Sequence, residues 1–176
     1  MNKTSLDQFA KDSHAEWGPL TSELVESCVR SVKTLLGAAE TEDWLRTLLE
    51  EAPESRELYR DAAHGFVLLG HVESAGLYRP PHDHGMGWVI YAVQRGETEM
   101  RTYARVHDEE GRVRLVKRDA TILRAGDVGV YLPGDIHDTR CLSSSLLLYR
   151  FTSRDLKQER VTRYAQRNGI WTDGVS

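Results

Sequence analysis

Cysteine is scarce in this chain of 176 residues, which also lacks a long apolar run and a marked excess of either charge. Cys28 and Cys141 form no CxxC or other zinc-type spacing, so we expect free thiols in a reducing compartment, with a bond between them left open. No segment approaches the ~20 apolar residues that a membrane span needs. Met1 to Ser5 lead into polar residues and not into the apolar stretch of a signal peptide. These absences predict a cytoplasmic protein without a membrane partner.

The charge balance gives no reason to expect a nucleic acid partner. The formal net charge is −4, from 27 acidic and 23 basic residues. Hydrophobic residues make up 40% of the chain and charged residues 28%, which is ordinary for a globular protein. The length suits one structural domain with a core that needs no disulfide. The sequence leaves open whether the protein forms a homodimer.

The first third of the sequence, residues 1–64, has a helical pattern. Ser5-Leu6-Asp7-Gln8 resembles a capping box before a short helix. Apolar residues recur at three- and four-residue spacing from Thr21 to about Leu36, and Gly37 offers a stop. Thr41 is placed to cap a third helix that ends before Pro53. We expect these helices to cover one side or end of a sheet.

From residue 65 to residue 176 the pattern changes to short strands. The apolar runs are rich in β-branched and aromatic residues, and turn signals separate them. Many short strands with frequent turns predict a sandwich or barrel, with the tail from Val161 to Trp171 as a final strand. The predicted strands are Phe66–Leu69, Trp88–Val93, Val113–Val116, Asp127–Leu132 and Leu146–Tyr149.

The most informative motif is His82-Asp83-His84, joined far downstream by Pro133-Gly134-Asp135-Ile136-His137. Side chains in a strand repeat every second residue, so both histidines of the first motif would share a face. Two imidazoles that close would repel each other if protonated, whereas a shared metal holds both neutral. With His137 as a third ligand, the pattern predicts a metal site, although the spacing alone does not choose between iron and zinc.

Two of these segments resemble the conserved motifs of the cupin superfamily. The first is Gly76 to His84 with the turn at Gly96, and the second is Gly134 to His137. The resemblance implies a mainly β (α+β) fold, a double-stranded β-helix or jelly-roll barrel with N-terminal helices. Many cupins place a glutamate ligand four or five residues after the second histidine. Trp88 and Val89 stand there, so the site has three histidines and no carboxylate unless Glu97 or Glu99 turns inward.

The surrounding residues resemble the cysteine dioxygenase type I group, the thiol dioxygenases of bacteria and animals. The likeness rests on Pro-x-His-Asp-His at 80–84, the turn at Gly96 and the tail Asn168–Thr172. It implies iron(II) held by His82, His84 and His137, and a small thiol such as cysteine or 3-mercaptopropionate. Dioxygen would convert that thiol to a sulfinic acid. Zinc, nickel or manganese stays open as the native metal.

The same resemblance implies roles for residues around the metal. The family carries a Ser-x-His-x-Tyr strand, and Ser145 and Tyr149 match its serine and tyrosine while Leu147 replaces the histidine. Ser145 and Tyr149 are therefore expected to be catalytic. Arg60 resembles the arginine that binds the substrate carboxylate, for which the forked guanidinium is suited.

Two other functions remain open at this stage. One is a different three-histidine cupin enzyme, such as a dioxygenase that cleaves a carbon–carbon bond, a lyase or an isomerase. The other is a cupin without catalysis that binds a small ligand.

Overall fold

The computed structural model describes residues 3–167 and 170–174. Its N-terminal part contains three helices, α1 (Ser5–Ala15), α2 (Ser22–Leu36) and α3 (Asp43–Glu51). The capping box lies one residue before the predicted one, because the Asp7 backbone N–H donates to Thr4 Oγ1 and the Asp7 carboxylate accepts from the Thr4 N–H. Thr21 caps α2 as expected. None of the helices in the described chain is long and apolar enough to cross a membrane.

Eleven strands in the described residues form two antiparallel sheets. The first sheet has the order β1-β2-β9-β4-β7 and the second has the order β11-β10-β3-β8-β5-β6. The strand bounds are β1 Arg56–Arg60, β2 Val67–Ser74, β3 Tyr78–His82, β4 Val89–Arg95, β5 Glu97–His107, β6 Val113–Arg124, β7 Val128–Tyr131, β8 Ile136–Cys141, β9 Ser145–Thr152, β10 Arg163–Arg167 and β11 Ile170–Gly174.

The eight strands from β2 to β9 define the fold. They form two four-stranded faces, β2-β9-β4-β7 and β3-β8-β5-β6, and the chain passes between these faces at most of the turns. This order is that of two Greek keys wound into a jelly roll, the double-stranded β-helix. The predicted fold class is therefore confirmed, and the remaining strands extend the edges of the two sheets.

The helices cover the outer face of the first sheet, so that sheet is buried on both sides. Along β9, Leu147, Tyr149 and Phe151 pack in one apolar cluster with residues of all three helices. Leu146 and Leu148 alternate with them and belong to a second cluster inside the barrel. The two faces of β9 thus contribute to two separate cores, as the alternation of side chains along a strand requires.

Several strands differ from the predicted ones. β1 lies in the part of the chain with the helical pattern, and it pairs with β2 at the sheet edge. The predicted final strand is a hairpin of β10 and β11, and two residues of the tail motif, Asn168 and Gly169, lie outside the described residues. Cys28 and Cys141 are both buried free thiols.

Candidate metal centre

Three imidazoles converge inside the barrel. His82 is the last residue of β3, His84 lies in the turn that follows, and His137 pairs with His82 in the register of β3 and β8. The ring centroids are 4.9 Å apart for His82 and His84, 4.8 Å for His82 and His137, and 5.0 Å for His84 and His137. One nitrogen from each ring can be chosen so that all three lie within 4.8 Å of one another. The structure thus brings together the three residues that the sequence singled out.

The local route to this arrangement differs from the predicted one. The strand ends at His82, so His82 and His84 do not share a strand face; the turn carries the second ring back toward the first. Asp83 holds this turn in place, because its Oδ1 accepts from the backbone N–H groups of Gly85 (3.0 Å) and Thr162 (2.9 Å). Gly85 has φ +60°, and a Cβ there would lie 2.8 Å from the Arg160 carbonyl oxygen.

Burial keeps the three rings neutral. His84 is 4% exposed and His137 is fully buried. Burial, with His82 and Arg150 nearby, lowers the pKa of His84 to about 3, and burial holds the pKa of His137 well below its ordinary value. The pKa of His82 is also lowered by burial, although its hydrogen bond to Pro80 opposes the shift. Neutral imidazole is the form that binds a metal ion.

Each of the three rings has a nitrogen that is free to bind a metal ion. His82 Nδ1 lies 2.8 Å from the Pro80 carbonyl oxygen, to which its N–H donates, and this leaves Nε2 with its lone pair. His84 Nε2 and both nitrogens of His137 are buried without a hydrogen-bond partner. Buried polar atoms without partners are rare in folded proteins. A divalent ion could bind His84 Nε2 and one of the two nitrogens of His137, so the residues present fit a metal.

No carboxylate joins this cluster within the described residues. Glu97 and Glu99 form ion pairs with Arg124 and Arg101 instead of turning to the histidines. Asp138 follows His137 along β8, and its Oδ2 accepts from two tyrosine hydroxyls, those of Tyr78 (2.9 Å) and Tyr103 (2.6 Å).

A cavity of about 490 Å³ opens beside the histidines. Within the described part of the chain, its lining has basic side chains and no carboxylate: Arg79, Arg150, Lys157 and Arg163 lie there with His82 and His84. Arg79 is paired with Glu73, whose carboxylate oxygen lies 3.0 Å from the arginine Nε. The lining would therefore attract an anionic ligand.

Arg150 is a cation of this lining that the family resemblance does not predict. It lies opposite Leu69 and Tyr91 in the register of β9, on the face that points into the barrel. Its Nε is buried without a hydrogen-bond partner, and no carboxylate within the described residues forms an ion pair with it. Its charge helps to lower the pKa of all three histidines. The signal in the sequence is its position two residues after Leu148, on the same strand face.

Two tyrosines pack against His137 from the inside of the barrel. The ring centroid of Tyr131 lies 4.2 Å from that of His137, and the Tyr91 centroid lies 5.5 Å from it. Burial raises the pKa of both phenols, so both stay protonated at neutral pH. These rings fix the plane of the His137 imidazole.

The residues predicted for catalysis and substrate binding do not reach the histidines. Tyr149 is fully buried among the helices, 5.9 Å from Trp44 between ring centroids, on the outer face of β9. Ser145 is exposed at the start of that strand, and Arg60 is exposed and paired with Glu57 and Asp155. None of the three is in the lining of the cavity beside the histidines. Ser145 and Tyr149 share the face of β9 that the helices cover.

A second group of metal-type ligands comprises His14, Asp61 and His64. Asp61 Oδ2 lies 2.7 Å from His14 Nδ1, and Asp61 Oδ1 accepts from the backbone N–H groups of Ala63 and His64. Both oxygens of the buried Asp61 carboxylate therefore have hydrogen-bond partners without a metal ion. The carboxylate joins α1 to the β1–β2 turn.

No protein family model and no curated protein matches the sequence. Solved structures with which it shares a likeness are cupin-type proteins. An uncharacterized conserved protein with a double-stranded beta-helix domain from Klebsiella pneumoniae aligns over 71% of this chain and 94% of its own, at 17% identity and a TM-score of 0.48. KdgF from Halomonas sp. aligns over 57% of this chain and 78% of its own, at 22% identity and a TM-score of 0.43. The Cnp3 cupin domain of Schizosaccharomyces pombe aligns over 59% of this chain and 62% of its own, at 12% identity and a TM-score of 0.46.

The TM-scores of these three structures are too low to support an assignment, so the fold is assigned from the strand order alone. The protein has a double-stranded β-helix of the cupin type. His82, His84 and His137 form a candidate metal centre inside that barrel. This combination fits a barrel that binds a metal ion.

Proposed function

We propose that the protein is an iron(II)-dependent dioxygenase that oxidises a small anionic thiol to its sulfinic acid. The observation that carries the proposal is a set of three neutral imidazoles with free nitrogens and no carboxylate. His82 and His84 of this set line a cavity whose charged side chains, among the described residues, are all basic. His82, His84 and His137 would hold the iron. The motif around 80–84, which resembles that of the thiol dioxygenases, supports the choice of substrate.

Iron(II), for which imidazole is a suitable ligand, would supply the dioxygen chemistry that no side chain of this site can supply. Three neutral ligands cancel none of the charge of a divalent ion. The site therefore favours an anionic ligand such as a thiolate, whereas a site with a glutamate ligand would be less positive.

The chain's own residues would bind and orient the substrate. Arg150 lies on the inner face of β9, and its guanidinium can pair with a substrate carboxylate. The Pro80 carbonyl oxygen keeps the proton of His82 on Nδ1, and the Tyr131 ring holds His137 in its plane. Burial of His84 and His137 keeps bulk water from the inner side of the cluster.

A second candidate is a metal-dependent lyase or isomerase that uses no dioxygen. The placement of Ser145 and Tyr149 favours it, because the serine and tyrosine that would lie near iron in a thiol dioxygenase are absent from the cavity lining. A cupin that binds a small anion without catalysis uses the same cavity and is the third outcome of the test.

Elemental analysis of gently purified protein, followed by oxygen uptake on the iron-containing fraction, tests the proposal. The thiols are cysteine, 3-mercaptopropionate and cysteamine, of which cysteamine has no carboxylate and serves as the control for charge. We expect uptake with a carboxylated thiol, little with cysteamine, and none with the variant His137→Ala.

Protein that contains iron but consumes no oxygen with any of these thiols would refute the proposal. Conversion of a non-thiol acid without oxygen would then support the lyase or isomerase. Tight binding of acids without conversion would support the binding protein.

A further inference from the structure

Two arginines lie beside the histidine cluster on different sheets. Arg150 belongs to β9 of the first sheet, and Arg163 begins β10 of the second, where it pairs in register with His82. Both side chains line the cavity. Within the described residues, neither forms an ion pair with a carboxylate. Among the residues that the structure describes, they are two cations without a paired carboxylate.

The other cations of the lining are balanced by nearby carboxylates. Arg79 is paired with the buried Glu73. Lys157 lies next to Asp155, whose Oδ1 accepts from the Lys157 backbone N–H at 3.0 Å. The cavity cations with no carboxylate partner in the described part of the chain are therefore Arg150 and Arg163.

The two arginines also differ in depth. Arg150 is half-buried, with its Nε fully buried, and its charge acts on all three histidines. Arg163 is exposed at the rim, and its charge acts on His82 alone. The cluster thus has one guanidinium on its inner side and one on its outer side. A single compact anion would instead require cations that converge on one point.

We infer that the substrate of this cavity is a small molecule with two separated acidic groups, one paired with Arg150 inside the barrel and the other with Arg163 at the rim. The inference rests on the proposed function in that it takes the cavity as the substrate site. Two carboxylates fit this pattern, because each forked guanidinium can bind one of them through two parallel hydrogen bonds. The group that faces the histidines would lie between the two acids.

Calorimetric titration with succinate and butyrate tests this inference on the full chain as purified. Butyrate is succinate with one carboxylate replaced by a methyl group, so the pair isolates the second charge. At fixed ionic strength we expect succinate to bind about tenfold more tightly than butyrate, which corresponds to one partly exposed charged pair.

Substitutions assign each acid to its arginine. Arg163→Gln should reduce the affinity for succinate to that for butyrate and leave butyrate unchanged, and Arg163→Lys should restore part of the preference. Arg150→Gln should weaken both ligands. Arg105→Gln, at an exposed arginine of β5 that is not part of the cavity lining, is the matched control and should change neither.

Equal binding of succinate and butyrate by the unsubstituted protein would overturn the inference, and so would equal losses in Arg163→Gln and Arg105→Gln. Inorganic phosphate that binds as tightly as succinate would also overturn it, because the site would then take one compact anion. The titration involves no thiol and no oxygen. Preference for succinate without thiol oxidation would therefore support this inference and refute the dioxygenase, and thiol oxidation without that preference would do the reverse.

Discussion

His71 should make the stability of the protein depend on pH below neutrality. It lies on the inner face of β2, 5% exposed, and its Nδ1 is 3.0 Å from the Glu54 carbonyl oxygen. Its Nε2 is buried without a hydrogen-bond partner. Burial, with Arg150 and Arg79 nearby, lowers the pKa of His71 from 6.5 to about 3. The folded protein therefore excludes a proton that the unfolded chain accepts.

The sign and size of the effect follow from this difference. Above pH 6.5 both states hold the ring neutral, so His71 has no influence on stability. As the pH falls from 6.5 toward 3, the unfolded state binds more protons and the free energy of unfolding decreases. One pH unit is worth about 1.4 kcal/mol, so the loss between about pH 7.5 and pH 5 comes to about 2 kcal/mol.

Urea denaturation of His71→Gln at both pH values measures this contribution. Glutamine cannot titrate in this range, and its amide can donate to the Glu54 carbonyl oxygen in place of Nδ1. We expect the protein to lose about 2 kcal/mol more than the variant between the two pH values. His107→Gln, at an exposed histidine at the end of β5, is the control. Equal losses in the protein and in His71→Gln would show that the buried ring is not kept neutral.

Three further substitutions test the site and the fold. His137→Ala should lose stoichiometric metal by elemental analysis, and full occupancy in that variant would mean that the third ligand is misassigned. Tyr149→Phe should keep its metal, and its free energy of unfolding in urea should be unchanged or higher by about 1 kcal/mol, because the hydroxyl is buried without a partner. Slower turnover in this variant would show that Tyr149 contributes to the reaction. Gly96→Ala should cost about 2–4 kcal/mol, because φ is +87° and a Cβ would lie 2.5 Å from the Ser145 carbonyl oxygen; an unchanged urea midpoint would contradict this geometry.

The metal ligands could be predicted from sequence because their motifs are local. His82 and His84 are two residues apart, and the Pro-Gly turn before His137 marks the start of a strand. The predicted geometry was nevertheless wrong for the first pair. The prolines coincide with a register shift between β3 and β8, between Arg79 and His82, and the strand stops at His82. His84 then lies in a turn that the Asp83 side chain closes. The two-residue repeat of side chains along a strand cannot predict such a turn.

Which face of β9 points into the barrel could not be predicted from its sequence. Leu146-Leu147-Leu148-Tyr149 is a continuous apolar run, as expected for a strand that is buried on both sides. Alternation places Ser145, Leu147 and Tyr149 together but does not say whether that face points into the barrel or toward the helices. The answer depends on the packing of helices that precede β9 by about a hundred residues. The place of Arg150 in the cavity could not be predicted for the same reason, because it occupies the opposite face of β9.

The same two-sided burial explains how the barrel can hold so many polar groups. His71 Nε2, Glu73 Oε2 and Arg150 Nε are all buried without partners on the inner side of the first sheet. Each such atom costs roughly 1–3 kcal/mol, which is large against the net stability of a domain. The outer face of that sheet supplies an apolar core in which Phe9, Leu48 and Phe151 are almost completely buried. Because this core lies outside the barrel, the helices stabilise the fold without filling the cavity. The interior of the barrel is left free for the metal ligands of the second sheet and for Arg150 of the first.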